Sequence, residues 1–535
     1  MSARSVLVAL VCATIYLVHA LFTNRVVDDC YITFRYVRNW VEGNGPVFNP
    51  GERVEGYTNF LWTALLAGAK WAWPRLDLLL AAQTLGLACG VVLLLQVARF
   101  GRGGLFAPLL LALSGPFVVW STGGLETTLF ALLVFGAALA ELRSDASGRP
   151  RAAAPLLLAL ATMTRPDGIV FVGALLIHRA LGLAREGDGV KRAGARAAVH
   201  GLLVFALVYG PYWAWRSWYY GWPVPNTFYA KVGSGLAQWR RGADYVVHFA
   251  VQGGVVVALL PLLPIFRRLR EPWVRLFALF LAAGLFYVVS VGGESLGLYR
   301  FIVPLLPFVA LLAQEGLRAI GSRSRALAAA LAAVSLVFAA KPTIAPRLSP
   351  QRFGMTEPQS GLTFPGDGRV HDYRWFDNYF VDRLAVAARW IDGHAPQDAL
   401  VASTPAGSIG FHMRQPLLDM LGLNDATIAH APVANMGAGR AGHEKGDGRY
   451  VLSRRPRFIL LDNVAVFDHP LTDDEVEQRL RLRSEHEIWA DPAFHRDYEK
   501  RTVRMGDVEL AAVPAADRAL FQWFTFWERR ADDRR

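Results

Sequence analysis

Cysteine is nearly missing from this chain, with three in 535 residues. Cys12 and Cys89 sit in apolar runs and Cys30 in a more polar stretch, so there is neither a disulfide framework nor a zinc-ligand spacing. Charge is also scarce, at 19% against roughly a quarter in ordinary soluble domains. The shortage is local: long stretches before residue 341 carry almost none, whereas the remainder is ordinary and polar. No Walker loop, no dinucleotide fingerprint and no solenoid-type repeat is present. These absences exclude a small disulfide-stapled fold, a zinc module, a repeat array and a nucleotide-cradling loop.

What is abundant is apolar sequence: 53% of the residues are hydrophobic, with a mean hydropathy of +0.28. A helix crossing a bilayer core needs roughly 20 apolar residues. Runs at 5–22, 76–98, 104–120, 125–142, 152–164, 168–183, 197–216, 244–265, 273–291, 301–318 and 326–341 predict about eleven crossings on that criterion. The first run lacks a small-residue cleavage site and reads as an uncleaved span. The short aromatic run 59–73 predicts a helix lying along the membrane surface.

The net charge of +12 follows the short loops rather than a basic face on a soluble domain, so nucleic acid is not an expected partner. Arg99 and Arg102; Arg143, Arg149 and Arg151; Arg185, Lys191, Arg192 and Arg196; Arg267, Arg268 and Arg270; and Arg318, Arg323 and Arg325 all fall on one side of the predicted crossings, whereas the turn at 121–124 has no Lys or Arg. The positive-inside rule places that side and the N-terminus in the cytoplasm, and an odd count of spans puts the tail outside. Two regions follow: a transmembrane body, 1–341, whose outer loop spans 23–75, and a soluble extracytoplasmic α/β domain, 342–535. In the tail, 399–403, 458–461 and 508–513 read as strands and 381–391 as a helix.

Ionisable groups near hydrocarbon are costly and ask for a reason. Asp28 and Asp29 are adjacent just past the first span. A carboxylate there could take a proton from a hydroxyl, or the pair could hold a divalent cation such as Mg, Mn or Ca. The competing reading is a helix cap. Tyr57, Asn59, Trp120, Tyr229 and Tyr299 could contact a sugar or form an interfacial aromatic belt.

An ordered set of motifs resembles a known family. It comprises Asp28-Asp29, Tyr31-Ile32-Thr33-Phe34-Arg35-Tyr36, the stretch 43–55, Tyr57-Thr58-Asn59, Thr164-Arg165-Pro166-Asp167-Gly168, Pro225-Asn226-Thr227-Phe228-Tyr229-Ala230-Lys231, Gly292-Gly293-Glu294, Tyr299-Arg300-Phe301, the stretch 419–425, and Gly442-His443-Glu444-Lys445. It is similar to the GT-C membrane glycosyltransferases, closest to the branch of mycobacterial terminal arabinofuranosyltransferases. The resemblance implies transfer of a sugar from a polyprenyl-phosphate carrier to a glycan, lipid-linked or protein acceptor on the outer face of a bacterial inner membrane. It implies Asp28 or Asp29 as the catalytic carboxylate, with Asp28 slightly favoured. On this view Lys231, Arg300 and Arg165 receive the donor phosphate. Tyr57, Asn59, Asn226, Tyr229, Glu294, His443 and Glu444 contact sugar or acceptor. Glu294 departs from the Asp that the family usually has after its Gly-Gly pair. The alternatives are a secondary transporter, for which no related halves are seen, and a non-catalytic membrane scaffold.

Overall fold

The computed structural model describes residues 3–147, 152–183, 188–233, 235–344, 362–363, 370–371, 373–434 and 436–531. The body is helical. Seven of its helices are long and apolar enough to cross a membrane among the described residues, with an eighth if a bent pair counts as one span. Arg149, Arg151 and Arg185 lie outside the described residues.

Four of the expected spans take other forms. The run 104–120 is two helices, Phe106–Leu113 and Gly115–Thr122, broken at Ser114, whose extended backbone precedes Gly115-Pro116. Proline removes a backbone donor and disfavours a helical residue a little upstream, so a continuous helix does not form. The run 244–265 belongs to Leu236–Gln252 and Val255–Arg268, which meet at 112°. Gly254 turns the corner at φ 91°, open to glycine because it lacks a Cβ. Ala153–Thr164 and Gly168–Gly182 are apolar but shorter than a span.

Residues 28–41, expected within a polar loop, form a helix with two apolar faces. Cys30, Tyr31, Phe34 and Val37 join the core of the body, whereas Ile32 and Tyr36 join a second core shared with the tail. The spacing of four between Ile32 and Tyr36 is what puts them on one face. This helix is the slab between the two regions.

The tail carries a mixed sheet. Val401–Ser403 pairs in parallel with Leu417–Asp419 on one side and Phe458–Leu460 on the other. Trp523–Arg529 runs antiparallel to Phe458–Leu460, to Ala465–Phe467 and, along its whole length, to Tyr498–Arg504. The strands expected near 401 and 458 and the helix expected over 381–391 are present, the helix as Tyr373–His394. The strand expected at 508–513 is a short helix, Asp507–Leu510, because the Glu509 side chain accepts the Gly506 N–H and closes a helical first turn.

Candidate functional site

Asp28 and Asp29 open the Asp28–Val41 helix, a few residues beyond the Ala3–Phe22 span. Two carboxylates in a first turn suit the helix dipole. The Asp28 side chain caps a different helix: it accepts the backbone N–H of Gly407 at 3.1 Å and of Ser408 at 2.6 Å, at the start of Ser408–His412 in the tail. A side chain at Gly407 would meet the Asp28 carbonyl oxygen at 2.0 Å, so only glycine permits this approach. Burial pushes the Asp28 carboxyl up to about 7, against the Ser408 N–H. Asp29 is different. It makes no hydrogen bond or ion pair with any described residue, and its charge reaches Glu294 and His443.

Three cations stand around this point. Arg165 occupies an extended residue between Ala153–Thr164 and Gly168–Gly182. It pairs with Asp167 at 3.0 Å and Glu126 at 3.3 Å, and its guanidinium lies over Phe130 and Phe301. Arg300 pairs with Glu294 and lies over Trp120, whose ring N–H donates to the Leu298 carbonyl. Lys231 ends the short helix Asn226–Lys231 and has no hydrogen-bond or ion-pair partner among the described residues. Its methylenes lie against Gly442, beside His443. The Glu294 carboxyl is pushed up by burial and held back by Arg300, Arg165 and Lys231. Burial, Arg440 and Lys231 hold the His443 imidazole down to about 3, so it is neutral at pH 7. Asp29, Glu294, Arg300, Lys231 and His443 thus form one electrostatic group.

The other expected contacts have partners within the protein. Tyr57 is buried, with its hydroxyl against that of Tyr220 and its ring against Tyr36. Asn59 bridges Thr33 and Glu126. Asn226 donates its amide to the carbonyls of Gly422 and Leu423 in the tail. Glu444 accepts the N–H groups of Gly437 and Gly439 and pairs with Arg241. Trp120 is wholly buried, and Tyr299 is buried with its hydroxyl on Gln252. Tyr229 stacks on His430, which also meets Trp222.

As a metal centre the acidic pair fits poorly. Both Asp28 oxygens are spent on backbone N–H groups, and no group of three or more His, Cys, Asp or Glu among the described residues could hold an ion.

Several structural residues escaped the sequence reading. Arg35 is buried and donates to the carbonyls of Phe48, Gly410 and Gln415 and to the Asn49 side chain, which ties the outer loop to the tail. Burial pulls its guanidinium down to about 9. Arg216 pairs with the buried Glu55. Glu126 had a legible signal, a lone acid between two apolar runs. Gly407 and Ser408 had none, since their partner is about 380 residues away in sequence. Within the body, a small apolar cleft runs between the two helix breaks, lined by Leu110, Phe249, Val257, Tyr299, Leu306 and Phe338.

Comparison with known proteins returns the branch that the motifs resemble. The chain is 31% identical over 249 residues to the terminal β-(1→2)-arabinofuranosyltransferase of Mycobacterium tuberculosis, which covers 42% of this chain and 37% of that protein. It is 30% identical over 254 residues to the protein of the same name in Corynebacterium glutamicum, covering 42% and 35%. The matched part is therefore little more than a third of either relative. The profile of a domain of unknown function, DUF8728, matches residues 374–523, inside the tail. Among solved structures, ArnT of Cupriavidus metallidurans bound to undecaprenyl phosphate aligns over 98% of this chain and 97% of its own, at 15% identity and a TM-score of 0.47.

Proposed function

We propose that this multi-pass membrane protein is a glycosyltransferase. In this reading it moves a sugar, arabinofuranose by analogy with the named relatives, from a polyprenyl-phosphate carrier to an acceptor hydroxyl at the outer face of a bacterial inner membrane. The observation that carries the reading is the pair of opposite charges without partners among the described residues, Asp29 and Lys231, which both act on Glu294 and His443. A buried or half-buried charge without a partner is costly, and it is retained where a substrate completes it.

The chemistry assigns roles accordingly. The Asp29 carboxylate takes the proton of the acceptor hydroxyl as its oxygen bonds to the anomeric carbon. The bond from that carbon to the phosphate oxygen breaks, and polyprenyl phosphate leaves with the electron pair. Lys231 receives that developing charge, and Arg300, already neutralised by Glu294, adds to it less. Asp28 holds the tail on the catalytic helix and is a positioning residue. The apolar cleft beside Tyr299 suits the carrier's chain, since it leads from the helix breaks to the residue before Arg300.

The test is donor turnover by purified protein in detergent, across polyprenyl-phosphate sugars including the arabinofuranosyl form, with an arabinan acceptor. Release of polyprenyl phosphate from one donor, lost in Asp29→Asn, is the expected outcome. Full turnover in that variant would overturn the assignment.

A further inference from the structure

The parallel strands Val401–Ser403 and Phe458–Leu460 end side by side, with Ser403 in register with Leu460. The space beyond the carboxyl ends of parallel strands is where open α/β sheets place ligands. The backbone leaving the second strand is strained there: Asp462, Asn463 and Val464 are consecutive non-glycine residues at φ 52°, 48° and 69°. Each costs energy that an ordinary connection would avoid.

Three buried polar atoms at this edge have no hydrogen-bond partner among the described residues. Asp462 is 8% exposed, with an idle Oδ2; Ser403 is 0% exposed, with an idle hydroxyl; Arg383 is 8% exposed, with an idle Nε–H. Arg383 spends one amino group on the Asn463 carbonyl at 3.0 Å, which orients its guanidinium toward this loop. The Arg479 guanidinium stands 3.7 Å from Asp462 Oδ2, beyond hydrogen-bonding reach, and it and Arg383 both lie over Phe467. Thr404 bridges Asn463 and Glu485 and locks the loop from the other strand. Burying such atoms unsatisfied costs their full desolvation, so native chains seldom leave several in one place without an occupant.

The chemistry of the edge selects that occupant. Asp462 and Glu485 repel an anion, and Arg383 and Arg479 repel a metal cation. An apolar group would leave these atoms without hydrogen bonds. A neutral compound bearing adjacent hydroxyls satisfies all of it: one hydroxyl donates to Asp462 Oδ2, and its neighbour accepts from Arg383 Nε–H. We infer that the carboxyl edge of the tail sheet, at Ser403, Arg383 and Asp462, is a second binding site for a neutral polyhydroxylated ligand, a glycan chain. It shares no residue with the Asp29 group, and it rests on the glycosyltransferase reading only in naming a glycan as the polyol.

The experiment uses the full chain in detergent carrying Asp29→Asn, so that nothing is turned over. Binding of neutral arabino-, galacto- and manno-oligosaccharides is measured by thermophoresis. At least one is expected to bind, with affinity falling about tenfold on Asp462→Ala and about threefold on Ser403→Ala, a variant that spares the fold. If no oligosaccharide binds, or if affinity stays unchanged in both variants, the edge holds only water and the inference is overturned. The catalytic reading fails by a different result, transfer that persists in Asp29→Asn.

Discussion

Arg35, Asp28 and Glu55, on one flank of the contact between body and tail, are each fully engaged. Arg35 meets four acceptors, Asp28 takes two N–H groups and Glu55 pairs with Arg216. On the other flank, Asp29 and Lys231 have no such partners among the described residues. Both flanks carry charges of both signs, and Asp28 and Asp29 are neighbours in sequence. Rotation by one residue around a helix, about 100°, sends one carboxylate into the tail and the other toward the cationic group. A charge that the fold has satisfied holds the structure, whereas one left unsatisfied is available to substrate.

The sharpest way to break this contrast is to neutralise each acid alone. Asp29→Asn should lower transfer by at least about 10³-fold at an unchanged melting temperature, the scale of a lost general base. Asp28→Asn should keep at least about a tenth of the activity, because its amide oxygen still accepts an N–H. If the two variants lost activity equally, the division of roles would fail. Next in size is Arg35→Met, which takes a donor from four buried acceptors, of which the Phe48 carbonyl and Asn49 Oδ1 keep another. It should cost about 3 kcal/mol of stability, read as an earlier unfolding transition in detergent, and leave KM for the donor unchanged. On the open flank, Lys231→Met should lower kcat/KM by about 10- to 100-fold, with Lys231→Arg restoring part of it. An equal loss in melting temperature would make Lys231 structural instead.

Much of this was legible beforehand, for physical reasons that can be named. Apolar runs reveal a helical membrane body because length and hydropathy suffice. They do not reveal where a run breaks: Ser114 and Gly254 depend on backbone geometry that composition encodes only weakly. The motif set brought Asp29, Glu294, Arg300, Lys231 and His443 into one list, and the fold brings them into one electrostatic group. It also suggested Tyr57, Asn59, Asn226 and Glu444 as contacts, and in the fold each also has protein partners. A residue kept for packing and one kept for chemistry look alike until their partners are seen. The sequence favours Asp28 slightly over Asp29, and the proposal takes Asp29 instead because of groups that occupy Asp28 from the far side of the sequence. The tail strands Tyr498–Arg504 and Trp523–Arg529 were missed because the first is charged at four of its seven positions, as edge strands often are.

The smallest expected effect separates the neighbours by titration. Burial raises the Asp28 carboxyl to about 7 in the folded protein, against an ordinary value of 3.8. The folded state thus holds that proton more tightly than the unfolded chain. Its contribution to stability is fully present below 3.8 and is lost as pH rises through about 7. Asp419 and Glu55, raised by burial to about 6, act in the same sense. His412, lowered by burial to about 4, and His443 act oppositely, favouring the fold as pH rises toward 6.5. The wild-type profile is therefore a mixture, and the difference between wild type and Asp28→Asn isolates one group. Between pH 5 and 7.5 that difference should change by about 1 to 2 kcal/mol in favour of the variant, allowing for the partial exposure of Asp28. Thermal unfolding in detergent across this range measures it. A flat difference would mean that Asp28 is ionised throughout and that its two N–H bonds outweigh its burial.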